Sequence, residues 1–278
     1  MELRMSEETQ TIEHTEEPHL TIDRDEQVVT VTLNRPKAKN AFTLEMLARL
    51  WDAWRMIDED PSVRCAILTG AGGDFCAGAD LKMMHGSQED NPWHAKYRED
   101  PELHWKALLR HYTLKKPLIA AVEGVAVGGG TEILQATDIR VAAEGSMLGV
   151  TEVAWALFPL GGSTVRLARQ IGYTNAMEML LTGKRIDAHE AKEIGLVGHV
   201  VPKGEALTKA RKIAAKIASN GPLAVQAIKR SVKEGLLLDE REALKLELEI
   251  GQPIFATKDA REGPRAFAEK RKPEFKGE

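Results

Sequence analysis

The sequence predicts an α/β core followed by a helical C-terminal third. Short β-branched and aliphatic runs, such as Val28–Leu33 and Leu118–Val122, alternate with stretches whose apolar residues recur at helical spacing. This alternation is typical of sheets whose strands are joined by helical crossovers. Beyond Val201 the strand pattern ends and only helical patterns follow. With no internal repeat or linker, we expect one domain carrying a helical extension.

The first half of the predicted core contains three strands and one long helix. Strands are expected at residues 19–23, at Val28–Leu33 and at residues 65–69. A helix is expected after Thr43, because one buried face is indicated by the spacing of Leu47, Leu50, Trp51, Trp54 and Ile57.

The second half begins with residues 82–100, which are polar and irregular, and we expect no regular element there. A helix is predicted at 101–114, then the strand Leu118–Val122, a tight turn that opens a helix near Gly129, and a strand at 139–142. The C-terminal helices are expected at 205–219, 222–233 and 238–250.

Composition narrows the class of protein and its surroundings. The net charge of −4 argues against a nucleic-acid partner, and no apolar run is long enough for a membrane span. The first seventeen residues are rich in glutamate and lack the parts of a secretory signal. We therefore expect a cytoplasmic protein with a disordered tail at 1–17, an α/β core at 18–201 and a helical assembly segment at 202–278.

The familiar glycine-rich and metal-binding motifs are absent from the sequence. GAGGDFCAG follows a predicted strand, but Phe75 stands where the dinucleotide fingerprint GxGxxG requires glycine. The chain contains neither the phosphate loop GxxxxGK[ST] nor the hydrolase motif GxSxG. Its eight histidines and two cysteines show no metal-ligand spacing, so we predict no metal site.

Two glycine-rich turns remain, GAGGDFCAGAD and GVAVGGGTE, and each follows a predicted strand. Glycine lets a ligand approach the backbone closely, and unpaired N–H groups near a helix start carry positive potential. Two such groups from different turns can form an oxyanion hole, which stabilises an enolate or a tetrahedral oxyanion. The alternative is that both segments are only tight turns.

Two glutamates are candidates for acid–base chemistry. Glu132 follows Gly129 by three residues and shares its helix face, although an acidic residue there also stabilises the helix dipole. Glu152 lies in the apolar stretch GVTEVAW, where an unpartnered carboxylate is costly and its pKa is usually raised. Two carboxylates beside an oxyanion hole indicate proton transfer next to a carbonyl.

The motifs and their order resemble the enoyl-CoA hydratase/isomerase (crotonase) family, most closely bacterial enoyl-CoA hydratases. The resemblance runs from about His19 to the end of the chain. Its motifs are LNRPKAKNA, FCAGADLK, AAVEGVAVGGGTE, LTGKRIDAHEAKEIGLVGHVV and AFAEKRKPEF. It implies a crotonase-like spiral of ββα units with a C-terminal helical trimerisation segment, assembled as a homotrimer or a hexamer of two trimers.

The same resemblance assigns roles to individual residues. The amides of Ala79 and Gly129 would hold the thioester oxygen. Glu152 would protonate the α-carbon while Glu132 assists as base on the water. Coenzyme A would meet Lys37, Ala38, Lys39, Ala77, Asp80, Leu81 and Lys82, and also Phe267 and Lys270 from a neighbouring subunit. The implied substrate is an acyl-CoA thioester, with no separate cofactor and no metal.

The sequence departs from the family where the acyl group is expected to bind. The family commonly has PGAGG after the second glutamate, whereas residues 159–163 here read PLGGS, with Trp155 and Phe158 just before them. We therefore expect a preference for medium-length, branched or ring-bearing acyl groups.

Three other activities remain open beside enoyl-CoA hydration. They are a Δ3,Δ2-enoyl-CoA isomerase, a carnitinyl-CoA-type dehydratase, and a non-catalytic scaffold that binds acyl-CoA or RNA. Isomerisation needs only one well-placed carboxylate, so the presence of both Glu132 and Glu152 favours the hydratase.

Overall fold

A computed structural model of the protein describes residues 17–80 and 91–278, so the predicted tail lies outside the described residues except for residue 17. The strands are β1 (Leu20–Asp25), β2 (Val28–Leu33), β3 (Cys65–Gly70), β4 (Leu118–Val122), β5 (Val125–Val127), β6 (Ile139–Ala143), β7 (Met147–Gly149), β8 (Arg185–Asp187) and β9 (His199–Val201). The helices are α1 (Leu44–Glu59), α2 (His94–Glu99), α3 (Leu103–Ala107), α4 (Gly129–Ala136), α5 (Ser163–Gln170), α6 (Tyr173–Thr182), α7 (Ala188–Glu193), α8 (Ala206–Ala218), α9 (Pro222–Gly235), α10 (Glu240–Gly251) and α11 (Lys258–Ala268).

Two sheets organise the described part of the chain. The larger has six strands in the order β1-β2-β3-β4-β6-β9, antiparallel between β1 and β2 and parallel elsewhere. The smaller has the order β5-β7-β8, in which β5 and β7 are parallel. Parallel neighbours require crossover connections, which the intervening helices supply. The predicted α/β class is therefore confirmed.

The central strands of the larger sheet are buried on both faces. Alternate side chains of a strand point to opposite faces, and Ile67 and Ile119 pack toward α8. Leu68 and Ala120 point the other way, into the larger apolar cluster that also contains Trp54 of α1. Burial on both faces explains why β3 and β4 are continuous apolar runs rather than alternating ones.

Helix α1 is fixed at its start and near its end. The Thr43 hydroxyl accepts a hydrogen bond from the N–H of Met46, which satisfies one free donor of the first turn. The buried indole of Trp54 donates to the carbonyl of Ala107 at 2.8 Å and so joins α1 to α3. This contact places α3 against one wall of the cavity described below.

The predicted helix over residues 101–114 is wrong in extent, because only Leu103–Ala107 is helical. Leu109 adopts a left-handed conformation with φ of 55°, which an α-helix cannot continue. The N–H of Arg110 then bonds to the carbonyl of Trp105 at 2.8 Å and closes the turn. Helical periodicity alone could not locate this early end.

The expectation of no regular element over residues 82–100 is also wrong, because α2 occupies His94–Glu99. The amide of Trp93, just before α2, donates to the Asn91 side chain at 3.0 Å. Arg49 of α1 lies over the Trp93 ring, and Lys96 of α2 forms an ion pair with Asp52 of α1. Contacts with α1 therefore hold this short polar helix, which lacks an apolar stripe of its own.

The C-terminal third contains the predicted helices, with α11 following them. Helices α9 and α10 pack on one another, and Lys229 of α9 bonds to Asp138 at 2.6 Å, which ties α9 to the core. Large apolar side chains stay exposed here in the single chain: Ile228, Val232, Leu236, Leu237, Leu244, Leu248 and Phe255. Within residues 17–80 and 91–278, no helix is long and apolar enough to cross a membrane.

Candidate active site

The two glycine-rich turns predicted from the sequence lie side by side. The N–H of Cys76 donates to the carbonyl of Val125 at 2.9 Å, and the N–H of Val127 donates to the carbonyl of Cys76 at 3.0 Å. The segment after β3 therefore runs along β5 and reaches the first turn of α4. Strand-like pairing thus brings together two turns that are about fifty residues apart in sequence.

Glycine is required where these turns touch. Gly78 has a φ of 85°, and a Cβ there would stand 2.9 Å from the nitrogen of Gly129. A Cβ on Gly130 would stand 2.3 Å from the carbonyl oxygen of Cys76. Both distances are too short for any side chain unless the backbone shifts. The close approach of the turns therefore depends on these glycines.

The N–H groups predicted to form the oxyanion hole are free to bind a ligand. The amide of Phe42 donates to Gly78, and the amide of Asp80 donates to Phe42, so Ala79 between them directs its own N–H away from Phe42. Gly129 opens α4, where an N–H has no intrahelical acceptor. Among the described residues, neither N–H has a hydrogen-bond acceptor, and both residues line one cavity.

This cavity has a volume of about 950 Å³ and is open to solvent. That volume is within the usual range for small-molecule sites. Its wall combines apolar side chains with a few polar groups, and contains Lys39, Phe42, Thr43, Leu44, Leu47, Ala77, Ala79, Asp80, His94, His104, Trp105, Leu108, Val125, Val127, Gly128, Gly129, Glu132, Thr151, Glu152, Trp155, Leu157, Phe158, Leu160, Gly161 and Arg185. Both predicted catalytic glutamates and both predicted amide donors therefore face the same space.

Glu132 projects from α4 and is almost fully buried. The N–H of Ser163 donates to its Oε1 at 3.2 Å. Gly161 packs so closely on the carboxylate that a Cβ there would stand 2.5 Å from Oε2. Burial raises the pKa of Glu132, while the N–H groups of Ser163 and Gly161, the Ser163 hydroxyl and the charge of Arg166 act to lower it. Glu132 is therefore a buried carboxylate with several groups that stabilise its ionised form.

Glu152 lies opposite, at the start of the 3-10 turn Glu152–Trp155. Its Oε2 is buried and has no hydrogen-bond partner among the described residues. Burial and the nearby charge of Glu132 raise the pKa of Glu152 to about 7, and two backbone N–H groups offset this only partly. Near neutral pH the cavity therefore holds two carboxyl groups that differ in proton affinity, and Glu152 is the one that keeps a proton more readily.

The segments predicted to touch coenzyme A lie at the cavity in part. Lys39, Ala77 and Asp80 line it, and the N–H of Ala77 donates to the carbonyl of Lys39 at 2.9 Å. Lys37 and Ala38 form a 3-10 turn immediately before Lys39 without lining the cavity. The remaining two residues of this prediction, Leu81 and Lys82, lie outside the described residues.

Phe267 and Lys270 do not reach this cavity in the single chain. Phe267 lies near the end of α11, is 86% exposed, and lines a second cavity beside β2 and α8. Lys270 follows α11 with φ of 57°. Since the prediction placed both residues at a neighbouring subunit's site, it stays a prediction.

Several residues around the cavity were not anticipated from the sequence. Gly161, Ser163 and Arg166 contact Glu132, but only the altered glycine turn drew attention to their segment. The cavity wall also contains His94, His104, Trp105 and Arg185, to which the sequence analysis assigned no role. Over residues 17–80 and 91–278, no group of three or more His, Cys, Asp or Glu side chains could hold a metal ion.

Comparison with known proteins gives a consistent result. A sequence model of the family described as enoyl-CoA hydratase/isomerase matches residues 23–278. The chain is 53% identical over 262 residues to enoyl-CoA hydratase EchA19 of Mycobacterium tuberculosis, covering 93% of this chain and 96% of that protein. It is 38% identical over 258 residues to crotonyl-CoA hydratase of Syntrophomonas wolfei, covering 92% and 97%. The crystal structure of an enoyl-CoA hydratase from Bacillus anthracis superimposes with a TM-score of 0.86 at 42% identity, covering 94% of this chain and all of that one.

Proposed function

The chain belongs to the enoyl-CoA hydratase/isomerase family, and from that premise we propose that it adds water to trans-2-enoyl-CoA thioesters to give 3-hydroxyacyl-CoA. The observation that carries this proposal is the unequal pair of carboxylates, Glu132 and Glu152. They share one cavity with two backbone amides that have no acceptor among the described residues. The activity belongs to fatty-acid or related acyl-CoA degradation, as a carbon–oxygen lyase.

The amides act on the thioester carbonyl. In the proposed complex the carbonyl oxygen accepts hydrogen bonds from the N–H groups of Ala79 and Gly129, neither of which has another acceptor among the described residues. Attack at the β-carbon moves negative charge onto this oxygen, so the amides stabilise the enolate more than the ground state. The dipole of α4 adds positive potential at the same place.

The carboxylates move the protons. Ionised Glu132 takes a proton from the water as the water oxygen bonds to the β-carbon. The electron pair of the double bond passes into the enolate, and protonated Glu152 then delivers a proton to the α-carbon. Burial of both groups supports these roles, because general acids and bases work best with a pKa near the working pH. The two groups then exchange one proton to restore the starting state.

Hydration neither oxidises nor reduces the substrate, so the reaction needs no redox cofactor. The coenzyme A part of the thioester is the only nucleotide that the proposal requires. We propose that its nucleotide end lies along residues 37–39 and 77–82, where Lys39, Ala77 and Asp80 form one edge of the cavity. The cytoplasmic location and the lack of a nucleic-acid partner stay predictions from composition.

The acyl end of the cavity supports a bulky substrate. Trp155, Leu157, Phe158 and Leu160 all line it, and Trp155 and Phe158 are 67% and 64% exposed in the single chain. Large apolar side chains that stay exposed beside catalytic groups are suited to covering an apolar ligand. We therefore propose medium-length, branched or ring-bearing acyl groups as the preferred substrates.

We also propose a homotrimer, or a hexamer built from two trimers. Its support is the group of large apolar side chains that α9 and α10 leave exposed in the single chain, because exposed apolar surface marks sites of association. In this assembly Phe267 and Lys270 would reach a neighbour's nucleotide site.

Light scattering should give the mass of three or six chains, and deletion from Thr257 onward should weaken assembly and substrate binding together. A monomeric full-length protein would contradict this proposal.

The alternative activities receive less support from the site. An isomerase needs a single base to carry a proton from the α-carbon to the γ-carbon. Here Glu132 is as completely enclosed as any group in the cavity and is held by Ser163 and Gly161. A second carboxylate held in this way is expected where a water must be both positioned and deprotonated. A carnitinyl-CoA-type dehydratase would use the same residues in reverse.

The first test removes each carboxylate while keeping its shape. Glu132→Gln and Glu152→Gln should each lower turnover of crotonyl-CoA by at least about 10², the usual contribution of a general acid or base. The double variant should lose less than the product of the two single losses, because the pair acts as a unit. Loss of the enoyl thioester absorbance measures the rate.

Glu193→Gln is the matched control, since Glu193 is an exposed glutamate of α7 outside the cavity. If Glu132→Gln hydrated crotonyl-CoA at the parent rate, the two-carboxylate mechanism would be wrong. Turnover of a 3-enoyl-CoA by that variant would then favour the isomerase.

The second test concerns the acyl group. Across a series from crotonyl-CoA to long, branched and ring-bearing enoyl-CoA esters, kcat/KM should rise toward the bulkier members, because they cover more of the apolar wall. Trp155→Ala should reduce kcat/KM for those esters by about tenfold, as burial of an aromatic side chain implies, and change it little for crotonyl-CoA. A maximum at crotonyl-CoA in the parent protein would overturn this proposal.

A further inference from the structure

A buried polar chain leads from Glu132 away from the cavity. The Nε2 of Gln135 donates to the hydroxyl oxygen of Ser163 at 2.8 Å, and the N–H of Ser163 donates to Glu132 Oε1 at 3.2 Å. Gln135 follows Glu132 by three residues on α4, whereas Ser163 opens α5. Ser163 is 0% exposed and Gln135 is 2% exposed. The chain therefore joins the two helices behind the carboxylate.

The hydrogen bond from Gln135 determines the direction in which the Ser163 hydroxyl can donate its proton. A hydroxyl has one proton to donate, and its oxygen here already accepts from Gln135. The proton of Ser163 then points away from Gln135, and the hydroxyl and the hydrogen-bonded N–H of Ser163 both act to lower the pKa of Glu132. Glu152 Oε2, by contrast, has no hydrogen-bond partner among the described residues. The two carboxylates thus differ in the donors supplied to them.

A purely structural role accounts poorly for Gln135. A buried amide that serves packing alone is expected to use both its donor and its acceptor, because an unsatisfied buried polar atom costs stability. Within the described residues, the Oε1 of Gln135 has no partner, and only the Nε2 that faces Ser163 is engaged. The contact with the Ser163 hydroxyl is therefore the one hydrogen bond of this side chain among the described residues.

Among the described residues, few charged groups lie near Glu132. Glu152 faces it across the cavity, Arg166 of α5 lies beside it, and Arg110 lies close to Arg166. The other titratable groups on the cavity wall are Lys39, Asp80, His94, His104 and Arg185. None of them is hydrogen-bonded to Glu132 in the part of the chain that the structure describes. The groups of α5 that act on the carboxylate are the N–H and the hydroxyl of Ser163 and the charge of Arg166.

We propose that Ser163 and Gln135 are positioning residues that keep Glu132 ionised and aimed at the water, so that the single proton of the pair resides on Glu152. This inference rests on the proposed hydration, since only a reaction with a water to deprotonate needs the two carboxylates to differ in this way. Neither residue touches the substrate, because both lie outside the cavity wall.

The test is the pH dependence of kcat/KM for an enoyl-CoA ester in Ser163→Ala. Removing the hydroxyl takes a donor from ionised Glu132, so the lower apparent pKa of the pair should rise. The acidic limb of the profile should therefore move to higher pH by about one unit, a loss of about tenfold in rate on that limb. On the plateau, kcat should fall less than about threefold and KM should stay unchanged.

Gln135→Met provides a second variant that leaves the hydroxyl in place. Without the amide the hydroxyl is no longer held toward Glu132, so the acidic limb should move in the same direction by a smaller amount. Methionine fills a similar volume, which makes this variant the deciding one if Ser163→Ala does not fold. Ser146→Ala is the matched control, because its buried hydroxyl donates to the Val122 carbonyl at 3.3 Å, outside the cavity wall.

The outcomes separate this inference from the proposed function. A parent protein that hydrates no enoyl-CoA ester overturns the proposed function and the inference with it. A parent that hydrates normally, with an unchanged acidic limb in folded Ser163→Ala and Gln135→Met, overturns the inference alone. An equal shift of the acidic limb of the pH profile in Ser146→Ala also overturns the inference, because the shift would then reflect general destabilisation.

Discussion

The contact between Gly78 and the first turn of α4 is the constraint on which the site depends. A Cβ at Gly78 would stand 2.9 Å from the nitrogen of Gly129, so the two backbones can meet only without a side chain there. The bonds from Cys76 and Val127 hold this approach from one side, and Phe42 holds it from the other. Two amides from distant parts of the chain consequently face one cavity, and neither has an acceptor within residues 17–80 and 91–278.

The same packing creates the electrostatic difference between the glutamates. Glu132 is enclosed by the turn at residues 161–163, which supplies N–H groups and a hydroxyl. Glu152 is partly buried and has two backbone N–H groups, and its Oε2 has no partner among the described residues. Bringing two carboxylates together in a poorly solvated space is unfavourable unless one of them holds a proton. Placing both groups here therefore lowers the stability of the fold, and it gives the two carboxyl groups the different pKa values that the proposed mechanism uses.

Much of this could be predicted from the sequence, for identifiable reasons. The buried strands are continuous apolar runs, and α1 has a strict apolar stripe, so their positions are correct within a few residues. The strand β5 has three residues, too few for any periodicity, although it aligns both glycine turns. The end of α3 depends on a left-handed Leu109, and the partners of Glu132 depend on how α5 packs against α4. Such tertiary contacts leave no local signal in the chain.

In the proposed mechanism the N–H of Gly129 stabilises the oxygen of a thioester enolate, and a pair of substitutions at Gly129 isolates the contribution of that N–H. Gly129→Pro removes that N–H at a helix position where proline is tolerated, whereas Gly129→Ala keeps it and adds a Cβ 3.3 Å from the Phe42 ring. The measurement is kcat for crotonyl-CoA hydration by the two folded variants. Proline should lower kcat about 10² to 10³-fold further than alanine does. Equal rates for the two variants would show that the Gly129 N–H does not stabilise the enolate oxygen.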